Sequence, residues 1–397
     1  MDVNLGLNQV VWIKAQPTLG APVWPTSSNL MKVIDHVKCD QEPIFFENKE
    51  WNSSLGKNPR ISANGFKPGV FTLKCHMHSI GAGSTIVPDK VMESLFGKRS
   101  TPYSTVEFAP YTTLTDDSPV YFSMLVLNGL ETKFVYDVVC EKGVFKWDVG
   151  SNADNLFSGQ FDGEFTHMLY AGTDKLTQIE ADNATTIHVV NGLRFDIGAK
   201  IVVGTSSPTG AHTISNIVGN NLTITPGLVT QQPKDAVVKG WVPGMTTLIN
   251  VNHLFGQFGM FQDQVVGAGY ANGFITVATL NYDNGWRADQ KEKTDDGCPN
   301  RYAKGKRIIT GTIDRYFRAA GTAARRETIT QANKSMKLPM AFTTWASSAK
   351  DRGVFELVNC EFDEATKTGD VEQTQQLKFT AIPSSLGGDD ECTATFD

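Results

Sequence analysis

Four segments of this 397-residue chain hold residue types that could do chemistry. In KIVVGTSSPTGAHTI, Lys200–Ile214, an apolar run meets glycines in the manner of a phosphate cradle, in which backbone N–H groups wrap the anion, a lysine reaches the outer phosphates and a Ser or Thr hydroxyl holds magnesium. The details are wrong for that work. Gly204 and Gly210 are spaced one residue too far apart, Ala211-His212 stand where Lys and Ser/Thr belong, and HTISNIVGNNLTIT then alternates as a strand instead of opening a helix. The segment therefore reads as a β-hairpin with turn glycines. In KCHMHSI, Cys75, His76 and His78 have ligand chemistry, but on a strand His76 and His78 share one face and Cys75 takes the other. At most two of them could grip one metal, no further ligand is identifiable, and ordinary sheet residues with no cofactor are expected.

The third segment, HLFGQFGMFQDQ, carries Phe255, Phe258 and Phe261 among glycines. Such rings could stack on a sugar or a base. No basic stripe flanks them, so a surface that packs on a neighbouring copy is the expected use. The fourth gathers Lys304, Lys306, Arg307, Arg315, Arg318, Arg325 and Arg326. On a strand Arg307 and Arg315 share parity. Nucleic-acid readout would call for interleaved aromatics and a basic balance, whereas the net charge is −6. Ion pairs between subunits, with acidic stretches such as Asp389–Glu391, are the expected role of Arg307, Arg315 and Arg318.

No nucleophile elbow, metal box or dinucleotide loop occurs, so no catalytic residue is assigned and an enzyme is not expected. Six cysteines are scattered without a CxxC pair, as fits buried free thiols in a reducing compartment. The N-terminal residues lack a secretory pattern and no apolar run is long enough to span a membrane, so folding and assembly in a cytoplasm are expected.

The elements that must position these residues are mostly strands. Helix signals are confined to PDKVMESLFGKR, with Pro88-Asp89 as start and Gly97 as stop, and RRETITQANKSMK, with Ile329, Ala332 and Met336 on one face before Leu338-Pro339. Each half of the chain reads in the same order: strand, helix, strand, strand, strand. VVCE at Val138–Glu141 falls in the slot of VNCE at Val358–Glu361. Between the halves, short strands separated by Gly, Asn and Pro turns run from Ile179 to Pro243, with Gly219-Asn220-Asn221 as a hairpin turn. The expected fold is mainly β: two similar sandwich or barrel domains, each with one short helix, at 1–175 and 244–397, and a small inserted all-β module at 176–243.

In that order of elements the chain resembles the tail-tube (major tail) proteins of long-tailed bacteriophages. The resemblance is carried by PIFFENKEWNSSLGKNPRISA, by GVFTLKCHMHSIGAGSTIVPDKVMESLFGKR, by ITGTIDRYFR and by GVFELVNCEF with QTQQLKFTAI, while the inserted module is similar to the small β modules of larger members. It implies a structural virion subunit that pairs with copies of itself in stacked rings, six copies or three pseudo-hexameric ones. It also implies contacts with tape-measure, tail-tip and tail-terminator proteins, and a lumen through which DNA passes without sequence-specific binding. No catalytic motif belongs to that family. The alternative reading is a multi-domain all-β adhesin that holds a surface carbohydrate on the phenylalanine-glycine stretch.

Overall fold

The computed structural model describes residues 9–47, 60–79, 88–101, 106–110, 118–148, 157–205, 211–244, 252–253, 261–264, 271–273, 275–289, 291–294, 297–316, 334–341, 352–368, 374–384 and 390–396. The protein is mainly β, with antiparallel sheets and one α-helix among the described residues. In chain order the elements that matter here are β1 (Gln9–Gln16), β2 (Gly69–His76), α1 (Asp89–Phe96), β3 (Tyr121–Asn128), β4 (Glu131–Asp148), β5 (Ser158–Phe165) and β6 (His167–Ala171). Beyond the inserted module come β7 (Ile275–Asp283), β8 (Ile308–Tyr316), β9 (Lys334–Ala341), β10 (Arg352–Thr368), β11 (Thr374–Ile382) and β12 (Thr393–Phe396).

Strict alternation makes the strands. In β2, Phe71, Leu73 and Cys75 point into the core, and Val70, Thr72 and Lys74 point away. Its partner β5 turns Gly159, Phe161, Gly163 and Phe165 inward. The two glycines are required by rings: a Cβ on Gly163 would lie 2.1 Å from the Val139 carbonyl oxygen and 2.6 Å from the Phe71 ring. Helix α1 starts after Pro88 and ends at Gly97, whose φ of +106° closes the last turn at little steric cost. Its Val91, Met92, Leu95 and Phe96 are buried. Asn284, from the other half, donates through Nδ2 to the carbonyls of Leu95 at 3.2 Å and Cys140 at 2.6 Å, serving a helix-end carbonyl that has no partner within the helix.

The strands of the two halves run through the same circuit. In the first, β3 pairs with β4, β4 with β5, and β5 with β2. In the second, β9 pairs with β10, β10 with β11, and β11 with β8. Each circuit has one long central strand: β4 has 18 residues and β10 has 17. Both bend at bulges, after Cys140 in β4 and after Phe362 in β10. The flanks match as well, since β5 and β6 follow each other along one side of β4, and β11 and β12 line the equivalent side of β10. A glycine faces a phenylalanine in both, Gly163 opposite Phe71 and Gly311 opposite Phe379.

The halves do not keep separate interiors. Strand β7 pairs with β4 over Lys142–Asp148 and with β8 on its other side, joining the circuits in one sheet. A single apolar core holds Phe71, Phe122 and Phe161 together with Leu280, Phe355, Leu377 and Phe396. The helix of the first half sits on the second, with the Phe96 ring 4.5 Å from that of Tyr282.

One element differs from the sequence reading. Lys334–Lys337, expected to end a second helix, belong to β9, where Met336 pairs with Leu357 and Leu338 with Phe355. Non-local pairing overrides the local helical spacing there. The rest of that expected helix lies outside the described residues.

The inserted module has its own core of Leu176, Ile187, Ile201, Val203, Ile214, Leu222, Ile224 and Val238. Its strands pair in the order Thr173–Lys175, Val237–Gly240, Lys200–Val203, His212–Val218, Asn221–Thr225, Thr186–His188. The Thr177 N–H donates to the His188 carbonyl at 2.9 Å and the Val190 N–H to the Lys175 carbonyl at 3.2 Å, which brings the last strand back to the first. Among the described residues these bonds close the six strands into a barrel. The two ends of KIVVGTSSPTGAHTI pair in it, Lys200 opposite Thr213 and Ile201 opposite His212. The module is seated against the first half: Trp241 and Val242 pack with Trp12, Leu125 and Phe134, and the Lys200 ammonium lies 4.9 Å from the Trp24 ring and 5.3 Å from that of Trp241.

Candidate assembly interface

The residues singled out from sequence do not converge on one site. Arg307 pairs with Glu391 at 2.8 Å, both side chains largely buried, so the acidic partner anticipated across an interface is met within the chain. Arg315 lies on β8 between Ile275 and Gln375, with its side chain outside the described residues. Arg318, Phe255 and Phe258 lie outside the described residues altogether. Phe261 opens a short strand opposite Gly273, and its side chain is not among those described.

Cys75 is fully buried on β2 opposite Gly159, and burial pushes its thiol well above the usual range. His76 is the next residue on that strand, and His78 pairs through its backbone with His253. No group of three or more His, Cys, Asp or Glu side chains among the described residues is placed to hold a metal ion.

The internal match of the circuits exposes a different feature. On the β3 side of β4, residues Lys142–Asp148 are covered by β7. On the equivalent β9 side of β10, Glu361–Thr368 pair with no strand among the described residues. Among the described residues the stretch EFDEATKT is thus a strand edge on that side, where its counterpart in the first half is filled. An extended edge presents unpaired N–H and C=O groups to another chain. Its Glu361, Asp363, Glu364 and Lys367 are the residue types that keep such an edge from pairing indiscriminately. Sequence reading missed it because a free edge is a property of pairing and leaves no mark in residue type.

A second feature missed from sequence is polar. The bulges that bend β4 carry two acidic residues into the interior, Asp137 at φ +57° and Glu141. Asp137, wholly buried, accepts hydrogen bonds from Gln16 Nε2, from the Gly20 N–H at 2.7 Å and from Thr166 Oγ1 at 2.9 Å. His167 Nδ1 lies 3.1 Å from Asp137 Oδ2, and the imidazole stacks on Tyr136 with ring centroids 4.7 Å apart. Burial opposes a charge on His167, and hydrogen bonds to Asp137 and Cys298 outweigh it, so the group is pushed up to about 10. Burial, followed by the neighbouring Glu164, pushes Glu141 up to about 9 against the pull of Arg287. Glu141 is thus protonated at neutral pH. The signal in the sequence was acids inside an apolar run, FVYDVVCEKG.

No protein-family model matches the chain, and no curated protein matches it significantly.

Proposed function

We propose that this protein is the subunit of a homo-oligomeric tube of the phage tail-tube kind, two tube domains in one chain, with three copies supplying six domains to each ring. The observation that carries the reading is the repeated circuit: the junction made inside the chain by β4, β7 and β8 has, among the described residues, no counterpart at the edge of β10. A heterologous contact of that kind either closes into a ring or continues as a filament. The absence of a basic surplus suits a conduit along which a polyanion slides, since each phosphate neutralised by Lys or Arg would add affinity. Stacked rings in a virion tail, with tape-measure, tip and terminator proteins as partners, belong to the same proposal. Negative-stain microscopy of the concentrated protein is the test. Rings with threefold symmetry are the expected result, and particles that stay monodisperse and monomeric at all concentrations would overturn it.

A further inference from the structure

Where the two halves of the chain meet, a cleft of about 700 Å³ opens between three segments far apart in sequence. One wall is Pro17–Leu19 after β1, a second is Ser118–Pro119 ahead of β3, and the third is the short hairpin that pairs Trp286–Ala288 with Tyr302–Lys304. Each wall is tied down from behind. Gln16 Nε2 donates to the Thr18 carbonyl at 2.8 Å, and the Gly20 N–H to the Asp137 carboxylate at 2.7 Å. Ser94 Oγ donates to the Val120 carbonyl at 2.7 Å, and the Tyr302 hydroxyl is shared between the carbonyls of Asp137 at 2.6 Å and Glu164 at 3.1 Å. The cleft is therefore formed before any ligand arrives, and it has the size of a small-molecule site at a junction between domains.

Its lining selects among ligands. The base is apolar: Tyr121, Trp286 and Tyr302 pack in one cluster with Leu19, the two tyrosine rings 5.9 Å apart. In a chain with a net charge of −6, the charged side chains that line the cleft are both cationic, Arg301 and Lys304. Arg301 is paired with Asp289 at 3.0 Å and Glu292 at 3.2 Å, so its charge is met within the chain. Lys304 has its Nζ 5.6 Å from the centre of the Trp286 ring, which holds the ammonium over the indole. Tyr121, only 8% exposed, lines the cleft with a hydroxyl that makes no hydrogen bond among the described residues. A polar group so enclosed gains from a partner that a ligand can supply.

We propose that this cleft binds a small organic anion, a flat apolar body that carries a single carboxylate. The body covers the aromatic and aliphatic base, and the carboxylate takes the charge of Lys304, with the Tyr121 hydroxyl as a hydrogen-bond donor to the ligand. A single negative charge is specified because Arg301 already has its acids. The site lies within one chain and does not depend on ring formation.

The test is calorimetric titration of the full native chain with 2-naphthoate and with 2-naphthamide, which has the same shape and no charge. The expected result is one saturable site for the carboxylate, with a dissociation constant of about 1 mM or tighter, and binding of the amide roughly tenfold weaker. Lys304→Met keeps an aliphatic stem over Trp286 and should weaken 2-naphthoate about tenfold while leaving the amide unchanged. Tyr121→Phe should weaken both compounds about fivefold. Should either variant fail to fold, the other variant and the comparison of carboxylate with amide decide. No saturable binding, equal affinity for the two compounds, or an affinity for 2-naphthoate that neither variant changes would each overturn the proposal.

Discussion

Glu141 costs the fold stability at neutral pH. An acid whose pKa is raised on folding binds more protons folded than unfolded, so its contribution falls as pH rises from its ordinary 4.5 towards 9. Glu141→Gln keeps the shape of the side chain and removes the titration. It should stabilise the protein by about 1 kcal/mol at pH 8, with the gain vanishing below pH 4.5, as urea melts across pH would read. His167 acts in the same direction: the stability from its pairing is full below its ordinary 6.5 and is lost as pH rises through about 10. Arg307 gives a residue-scale test of a different kind. Because its partner Glu391 lies in the same chain, Arg307→Glu should cost about 2 kcal/mol, the exchange of both charges should restore much of it, and neither should alter assembly once folded.

At the scale of elements, the paired glycines and rings hold β2 to β5 and β8 to β11. Gly163→Ala would drive a methyl into the Val139 carbonyl and the Phe71 ring, and a loss of about 2 to 3 kcal/mol by thermal or urea melts is expected. The module shows what separates an accessory element from a structural one. Its six described strands are paired with one another, yet Trp241 and Val242 at its exit cover Trp12 and Phe134. Joining Lys175 to Val237, which are already paired, through an Asn-Gly turn should remove the barrel and leave rings intact by microscopy. Extending the deletion to Pro243 should strip the indole cover from the sheet and lower stability or expression.

For the whole molecule, the edge of β10 that no described strand covers and the filled edge of β4 make the two halves of the chain equivalent in circuit and unequal in pairing. The proposed ring makes them equal again. Ring particles counted by symmetry should show three copies, and a change to six would mean that the halves do not both enter the ring.

Much of the fold was legible along the chain because its signals are local. Alternation in GVFTLKCHM and SGQFDGEF sets which face is buried, Pro88 and Gly97 bound the helix, and Gly219-Asn220 turns a hairpin with Val218 opposite Asn221. The mainly β class and the module, whose sheet runs from Thr173 to Gly240, follow from these. The second helix was misread at Lys334–Lys337 because a strand between two others is chosen by its partners. Arg307 found its acid inside the chain for a similar reason, since an ion pair is fixed by which strands lie side by side. The edge of β10 left uncovered among the described residues, the acids placed at bulges and the meeting of Asp137 with His167 depend on register and on contacts between residues far apart in sequence. Only the tertiary structure decides these, because pairing energy is realised between segments and neither segment carries it alone.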